Sequence, residues 1–112
     1  MSVEASRPTA TRFHLGLVTD IPKGEGRSYE VATHSIAVFR TRDGRMYATQ
    51  AKCPHKQGPL ADGLVGADSV VCPLHEKRFD LASGCEVGSA GCSIATYKVL
   101  VDASEFWVEI GA

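Results

Sequence analysis

Two short loops of matching form, with sixteen residues between them, constrain this chain more than any other feature. The first is Cys53-Pro-His55 and the second is Cys72-Pro-Leu-His75. Each loop supplies one thiolate and one imidazole, and the Pro after each Cys fixes φ, which stiffens the loop where a ligand must be aimed. Together the loops offer two sulfur and two nitrogen ligands, a set that suits either zinc or an iron–sulfur cluster.

The order of the ligands separates these two hypotheses. Zinc modules with this set usually pair Cys with Cys and His with His, as C-x2-4-C followed by H-x3-5-H. Here each loop carries one ligand of each type, so two facing loops would give one iron two Cys and the other iron two His. We therefore predict that a 2Fe–2S cluster is bound, with a structural zinc module as the remote alternative. The predicted ligands are Cys53, His55, Cys72 and His75.

The segment closely resembles the Rieske family. The shared motifs are C-P-H-x-x-G-P-L before the spacer, and C-P-L-H followed by F-D-L-x-x-G after it. The resemblance implies a Rieske-type fold of stacked antiparallel sheets, a sandwich or barrel, in which the two cluster-binding loops form a tip. It also implies that His55 and His75 lie near the surface and carry the electron out. The residues that would surround this exit are Lys56, Gln57, Glu76, Lys77 and Arg78.

The remaining sequence also predicts an all-β fold. Short stretches alternate apolar and polar residues, the first from Phe13 to Leu17 and the last from Phe106 to Ile110. The Asp43-Gly44 pair predicts a hairpin, whereas residues 21–26, with one Pro and two Gly, predict a turn. No stretch predicts a long helix, which favours an antiparallel sandwich or barrel.

Length and charge limit the other functions that this chain could have. A length of 112 residues predicts one domain. We expect this domain to span residues 12–112 and to follow a flexible tail, residues 1–11. Its 12 basic and 13 acidic residues give a net charge of −1, so we expect affinity neither for nucleic acid nor for membranes. The N-terminus lacks the apolar core of a secretory signal, and no apolar run reaches membrane-spanning length. We therefore expect a cytoplasmic protein.

Two further cysteines, Cys85 and Cys92, have no histidine partner nearby in the sequence. A disulfide between them is conceivable, but thiols usually stay reduced in the cytosol. We interpret both as small, partly buried packing residues.

Charge counting explains why mixed ligands suit electron transfer. Two ferric ions, two sulfides and two thiolates sum to zero, whereas a cluster with four thiolates would carry two negative charges. Adding an electron to a neutral cluster costs less, which raises the reduction potential. The sequence shows no catalytic set outside the four ligands, so any enzymatic role would be that of an electron-transfer subunit.

Two kinds of carrier remain open. CPHKQGPLADG, VVCPLH and the later segment Gly91-Cys92…Thr96-Tyr97-Lys98-Val99 resemble the small subunit of assimilatory NAD(P)H nitrite reductase, although Glu76-Lys77 replaces that family's common Gly-Trp. The resemblance implies a large partner subunit that carries flavin and sirohaem and reduces nitrite to ammonia. The alternative is a free Rieske ferredoxin that serves a ring-hydroxylating dioxygenase, or a related oxygenase, and its reductase.

The resemblance also bears on the reduction potential. High-potential members of the family join the two loops by a disulfide, at positions that hold Gly58 and Leu74 in this chain. They also bond the cluster sulfurs with a Ser and a Tyr hydroxyl, at positions that hold Lys77 and Phe79 here. We therefore expect a potential at the low end of the Rieske range.

Overall fold

The computed structural model describes residues 11–31, 33–52, 59–72, 78–87 and 94–110. Over these ranges the chain forms nine strands: β1 (Thr11–Leu17), β2 (Glu25–Val31), β3 (His34–Arg40), β4 (Met46–Gln50), β5 (Leu64–Val65), β6 (Ser69–Val71), β7 (Arg78–Asp80), β8 (Thr96–Asp102) and β9 (Glu105–Ile110). Two single-turn 3-10 helices, Val18–Asp20 and Leu60–Asp62, complete the described elements. Within these ranges, no helix has the length and apolar character needed to cross a membrane.

The strands form two antiparallel sheets. Six strands form the larger sheet in the order β1-β9-β8-β4-β3-β2, and the smaller sheet has the order β5-β6-β7. This arrangement confirms the predicted all-β antiparallel fold. The predicted Asp43-Gly44 hairpin is confirmed as well, because β3 and β4 pair antiparallel with Arg40 opposite Met46.

Strand β3 is buried on both faces and therefore joins two hydrophobic cores. Ile36 and Val38 face the first core, together with Phe106 and Val108 of β9 and other residues of the larger sheet. The alternate residues of β3, Ala37 and Phe39, face the second core instead. That second core lies between β3 and the smaller sheet, and it includes Leu60 and Cys72.

One prediction about strand boundaries was wrong. Glu25 and Gly26 were expected to belong to a turn, but they are the first residues of β2 and pair with Arg40 and Phe39. Gly26 is needed here for space, because a Cβ atom at this position would lie 2.7 Å from the Phe39 ring. The glycine therefore marks a close approach inside the sheet rather than a change of direction.

Candidate iron–sulfur centre

One of the four predicted ligands lies within the described residues. Cys72 directly follows β6, and its side chain is 0% exposed in the second core. A sulfur held away from water at the end of a strand fits a cluster ligand, since the strand fixes its position. The other three predicted ligands, Cys53, His55 and His75, lie outside the described residues, so the full ligand set stays a prediction.

The chain on either side of both ligand loops is held together at the base. At the first loop, the Leu60 N–H donates to the Ala51 carbonyl oxygen at 2.9 Å, and Lys52 and Pro59 form a β-bridge. At the second loop, Val71 pairs with Arg78 across the β6–β7 hairpin. Each loop therefore leaves and rejoins the fold at a paired position.

A shared core then brings the two bases together. Leu60, which follows the first loop, is buried in the same hydrophobic cluster as Cys72, the first residue of the second loop, and Phe79 of β7. Ile94 belongs to this cluster too. Burial of these apolar side chains thus fixes the two loop bases relative to each other. This is the arrangement that a cluster ligated by both loops requires.

Gln50 is a residue of this region that the sequence did not reveal. Its Nε2 donates to the Lys52 carbonyl oxygen at 2.7 Å, and its Oε1 accepts from the Ala95 N–H at 2.8 Å. Its backbone N–H also donates to the Ala95 carbonyl oxygen at 2.9 Å. Gln50 therefore ties the residue before Cys53 to the chain that enters β8. No local motif signals this role, because 45 residues separate Gln50 from Ala95.

A second set of backbone contacts ties β7 to the same region. The Val87 N–H donates to the Arg78 carbonyl oxygen at 2.8 Å, and the Ile94 N–H donates to the Gly84 carbonyl oxygen at 2.7 Å. Gly84 has φ +81°, in the left-handed region that favours glycine. The turn after β7 thus anchors Ile94, two residues before β8 begins.

The two additional cysteines were expected to be partly buried. Cys85 is instead exposed, so that expectation is wrong for this residue. It lies in the turn after β7, where its carbonyl oxygen accepts from the Asp80 N–H and leaves the side chain free to face water. Cys92 lies outside the described residues.

The predicted electron exit is described only at its edge. Arg78 is exposed at the start of β7, whereas Lys56, Gln57, Glu76 and Lys77 lie outside the described residues. In the described part of the chain, no group of three or more His, Cys, Asp or Glu side chains could hold a metal ion.

Comparison with known proteins decides the family. Residues 11–98 match the model of the Rieske [2Fe-2S] domain. This chain belongs to the Rieske family. Its cofactor is a Rieske-type 2Fe–2S cluster, and it is an electron carrier. The prediction of the cofactor is thereby confirmed, and zinc is no longer a competing interpretation.

The relatives of this Rieske protein include parts of several enzyme systems. It is 35% identical over 88 residues to the ferredoxin component of the naphthalene 1,2-dioxygenase/salicylate 5-hydroxylase systems of Ralstonia sp, covering 74% of this chain and 80% of that protein. It is 40% identical over 74 residues to a nitrite reductase [NAD(P)H] of Emericella nidulans, covering 57% of this chain and 6% of that enzyme. Among solved structures, the ferredoxin of carbazole 1,9a-dioxygenase from Nocardioides aromaticivorans has a TM-score of 0.78 at 27% identity, over 88% of this chain and 96% of that one.

Proposed function

We propose that this Rieske protein is the small, electron-transferring subunit of an NAD(P)H-dependent nitrite reductase. The observation that carries the proposal is the 40% identity over 74 residues to a nitrite reductase of which the chain covers only 6%. A match of this kind suits a chain that contributes one redox centre to a much larger enzyme. The resemblance of residues 91–99 to the nitrite reductase small subunit supports the same role.

The ligands follow from the same proposal. Cys53 and Cys72 would hold one iron, and His55 and His75 the other. When bound, the cluster accepts and releases one electron at a time. The buried position of Cys72 keeps its sulfur away from water, and the paired loop bases restrain the direction in which each loop leaves the sheets. In this role the protein would work in the cytoplasm, because the reductant of the whole nitrite reductase is NAD(P)H.

Reconstitution tests the proposal directly. The reduced protein is mixed with a large flavin- and sirohaem-bearing subunit from the same cell, and its visible spectrum is followed after nitrite is added. We expect reoxidation of the cluster and formation of ammonia only when nitrite and the large subunit are both present. If the large subunit, supplied with NAD(P)H, reduces nitrite at the same rate with and without this chain, the proposed role is refuted.

A second role, as a free ferredoxin of an oxygenase system, is favoured by a separate observation. The 35% identity to the Ralstonia ferredoxin component extends over 80% of that protein, so the likeness covers most of an independent carrier. Affinity purification from the native cell separates the two roles. Recovery of a sirohaem protein supports the nitrite reductase role, and recovery of a ring-hydroxylating oxygenase or its reductase supports the ferredoxin role.

A further inference from the structure

Two exposed arginines from distant parts of the sequence line one surface pocket. Arg42 lies in the turn between β3 and β4, and Arg78 is the first residue of β7. The pocket has a volume of about 290 Å³. The other described residues that line it are small or apolar: Gly24, Val65, Gly66, Ser69 and Val71. The two guanidinium groups are therefore the charged groups of this lining.

The positive charge of the pocket is not neutralised by the described residues. Three other exposed arginines, Arg12, Arg27 and Arg45, each form an ion pair with a carboxylate. Across the described ranges, by contrast, the side chains of Arg42 and Arg78 have neither an ion pair nor a hydrogen bond. A pair of uncompensated cations in one concave site attracts anions, because both fields add there.

The carboxylate next to Arg42 in the sequence is already engaged. Asp43 accepts from the Thr41 hydroxyl and from Arg45 Nε, the latter at 2.9 Å. The Thr41 hydrogen bond and the Arg45 contacts lower the pKa of Asp43, so it stays ionised within its own turn. Asp43 therefore does not serve as the partner of Arg42.

The pocket lies beside the predicted electron exit. Arg78 lies three residues after His75 of the second ligand loop, and its strand partner Val71, which precedes Cys72, also lines the pocket. A redox partner must approach this end of the smaller sheet if the electron leaves through His75, as the resemblance to the Rieske family implies. An anion-binding pocket at this place would help to orient that partner.

We propose that the Arg42–Arg78 pocket binds a carboxylate side chain, Asp or Glu, on the surface of the redox partner. The inference rests on the proposed electron-transfer function. Guanidinium groups suit carboxylates because their N–H groups match both oxygens at once. The volume lies at or below the lower limit of small-molecule sites, which favours the tip of one side chain over a cofactor.

The first test needs no knowledge of the partner. A dye-labelled hexaglutamate peptide is titrated into the cluster-loaded protein at low ionic strength, and binding is measured by fluorescence anisotropy. We expect Arg42→Ala and Arg78→Ala each to weaken binding about threefold, and the double variant about tenfold, as for exposed charge pairs. Arg12→Ala, an exposed arginine on β1, is the matched control and should bind like the original protein.

Three results would refute the proposal that this pocket binds a carboxylate side chain. The first is equal weakening by Arg12→Ala, which would show general charge attraction. The second is weakening that persists undiminished at about 0.5 M salt, where exposed charges are screened. The third is stronger displacement of the peptide by inorganic phosphate than by succinate, a dicarboxylate of comparable charge, which would assign the site to a small anion. Unchanged visible spectra and unfolding midpoints establish that the variants are folded.

The second test uses the large nitrite reductase subunit as the partner. We expect the double variant to pass electrons at least threefold more slowly than the original protein at low salt, and the difference to shrink as salt is added. Equal rates across the salt series would refute the pocket while leaving the proposed function intact. If the original protein itself passes no electrons to this subunit, the proposed function is refuted. The peptide titration then still tests whether the pocket binds carboxylates.

Discussion

At the scale of single residues, burial distinguishes the two cysteines that the structure describes. Cys72 is 0% exposed at the end of β6, whereas Cys85 is exposed in a turn. We expect Cys72→Ala to abolish the Rieske absorption bands and the EPR signal of the reduced protein, because it removes a predicted ligand. Cys85→Ser is the matched control and should leave both signals intact. A native spectrum in the Cys72 variant would show that the ligand set is wrong.

Gln50 gives a prediction of a different kind, since it acts through its neighbours. Gln50→Glu retains an acceptor for the Ala95 N–H but faces the Lys52 carbonyl oxygen without a donor. We expect it to lower the free energy of unfolding by about 0.5–1.5 kcal/mol, the net contribution of one hydrogen bond. Because Lys52 precedes the predicted ligand Cys53, the midpoint potential should change too.

Urea unfolding and voltammetry of the Gln50 variant measure these two effects separately. Ser28→Ala, at an exposed polar position on β2, serves as the control and should alter neither quantity. A loss of stability with an unchanged potential and an unchanged EPR spectrum would limit Gln50 to a purely structural role.

The residues of the site differ in how far the sequence could predict them. The four ligands are expected from a local pattern, since thiolate and imidazole side chains at this spacing have few other uses. The contact between Gln50 and Ala95 exists only because β4 and β8 are neighbours, and local patterns do not report such pairing. The exposure of Cys85 was also missed, because alternation of apolar and polar residues ends where a turn begins.

At the scale of elements, the strands were predictable wherever one face is buried and the other is not. Phe106, Val108 and Ile110 of β9 are buried while Trp107 points to the other face, as the alternation predicts. The sequence does not predict the start of β2, because a Gly at position 26 is typical of a turn. Its actual role depends on Phe39 across the strand pair, which the local sequence does not contain.

In the turn after β7, Gly84 anchors Ile94, and replacing this glycine should lower the stability of the protein. In Gly84→Ala, the new Cβ would lie 2.1 Å from the Ile94 carbonyl oxygen, at a positive φ that also strains alanine. We expect the free energy of unfolding to fall by roughly 2–4 kcal/mol, since a backbone segment must move. Thermal or urea unfolding of the cluster-loaded protein provides the measurement.

Gly66→Ala is the matched control for this prediction. Its Cβ would lie 3.6 Å from Ser69 Oγ, an ordinary contact, and Gly66 has no positive φ. We expect a change within about 1 kcal/mol. If both alanine variants have the same stability as the original protein, the close approach at Gly84 does not constrain the fold.

At the scale of the whole molecule, the described part of the chain has two hydrophobic cores, and only one of them contains the predicted ligand Cys72. The first core lies within the larger sheet, and the second connects β3 to the smaller sheet and the loop bases. The run Ile36–Phe39 is continuously apolar, as is typical of a strand that is buried on both faces. The grouping of three distant segments around Cys72 was not predictable, because it depends on how the smaller sheet packs on β3.

The reduction potential is a property of this whole arrangement, and we expect it to be low. The resemblance implies that high-potential Rieske proteins use a loop disulfide and two hydroxyl donors, and this chain has neither Cys nor hydroxyl at the matching positions. A donor to a cluster sulfur stabilises the added negative charge of the reduced state, and the Phe79 side chain has no hydrogen-bond donor. Protein-film voltammetry should give a midpoint of about −150 to −50 mV at neutral pH. A midpoint above roughly +150 mV would refute this argument.

Phe79→Tyr tests the cause of the low potential. Phe79 is 0% exposed in the same core as Cys72, so a hydroxyl added to its ring requires a buried acceptor. If that acceptor is a cluster sulfur, the midpoint should rise by roughly 40 mV, equivalent to about 1 kcal/mol for one electron, with little loss of stability. Phe106→Tyr, in the other core, is the control and should lose stability while the potential stays constant. If Phe79→Tyr behaves like this control, its hydroxyl does not reach the cluster, and the low potential must have another origin.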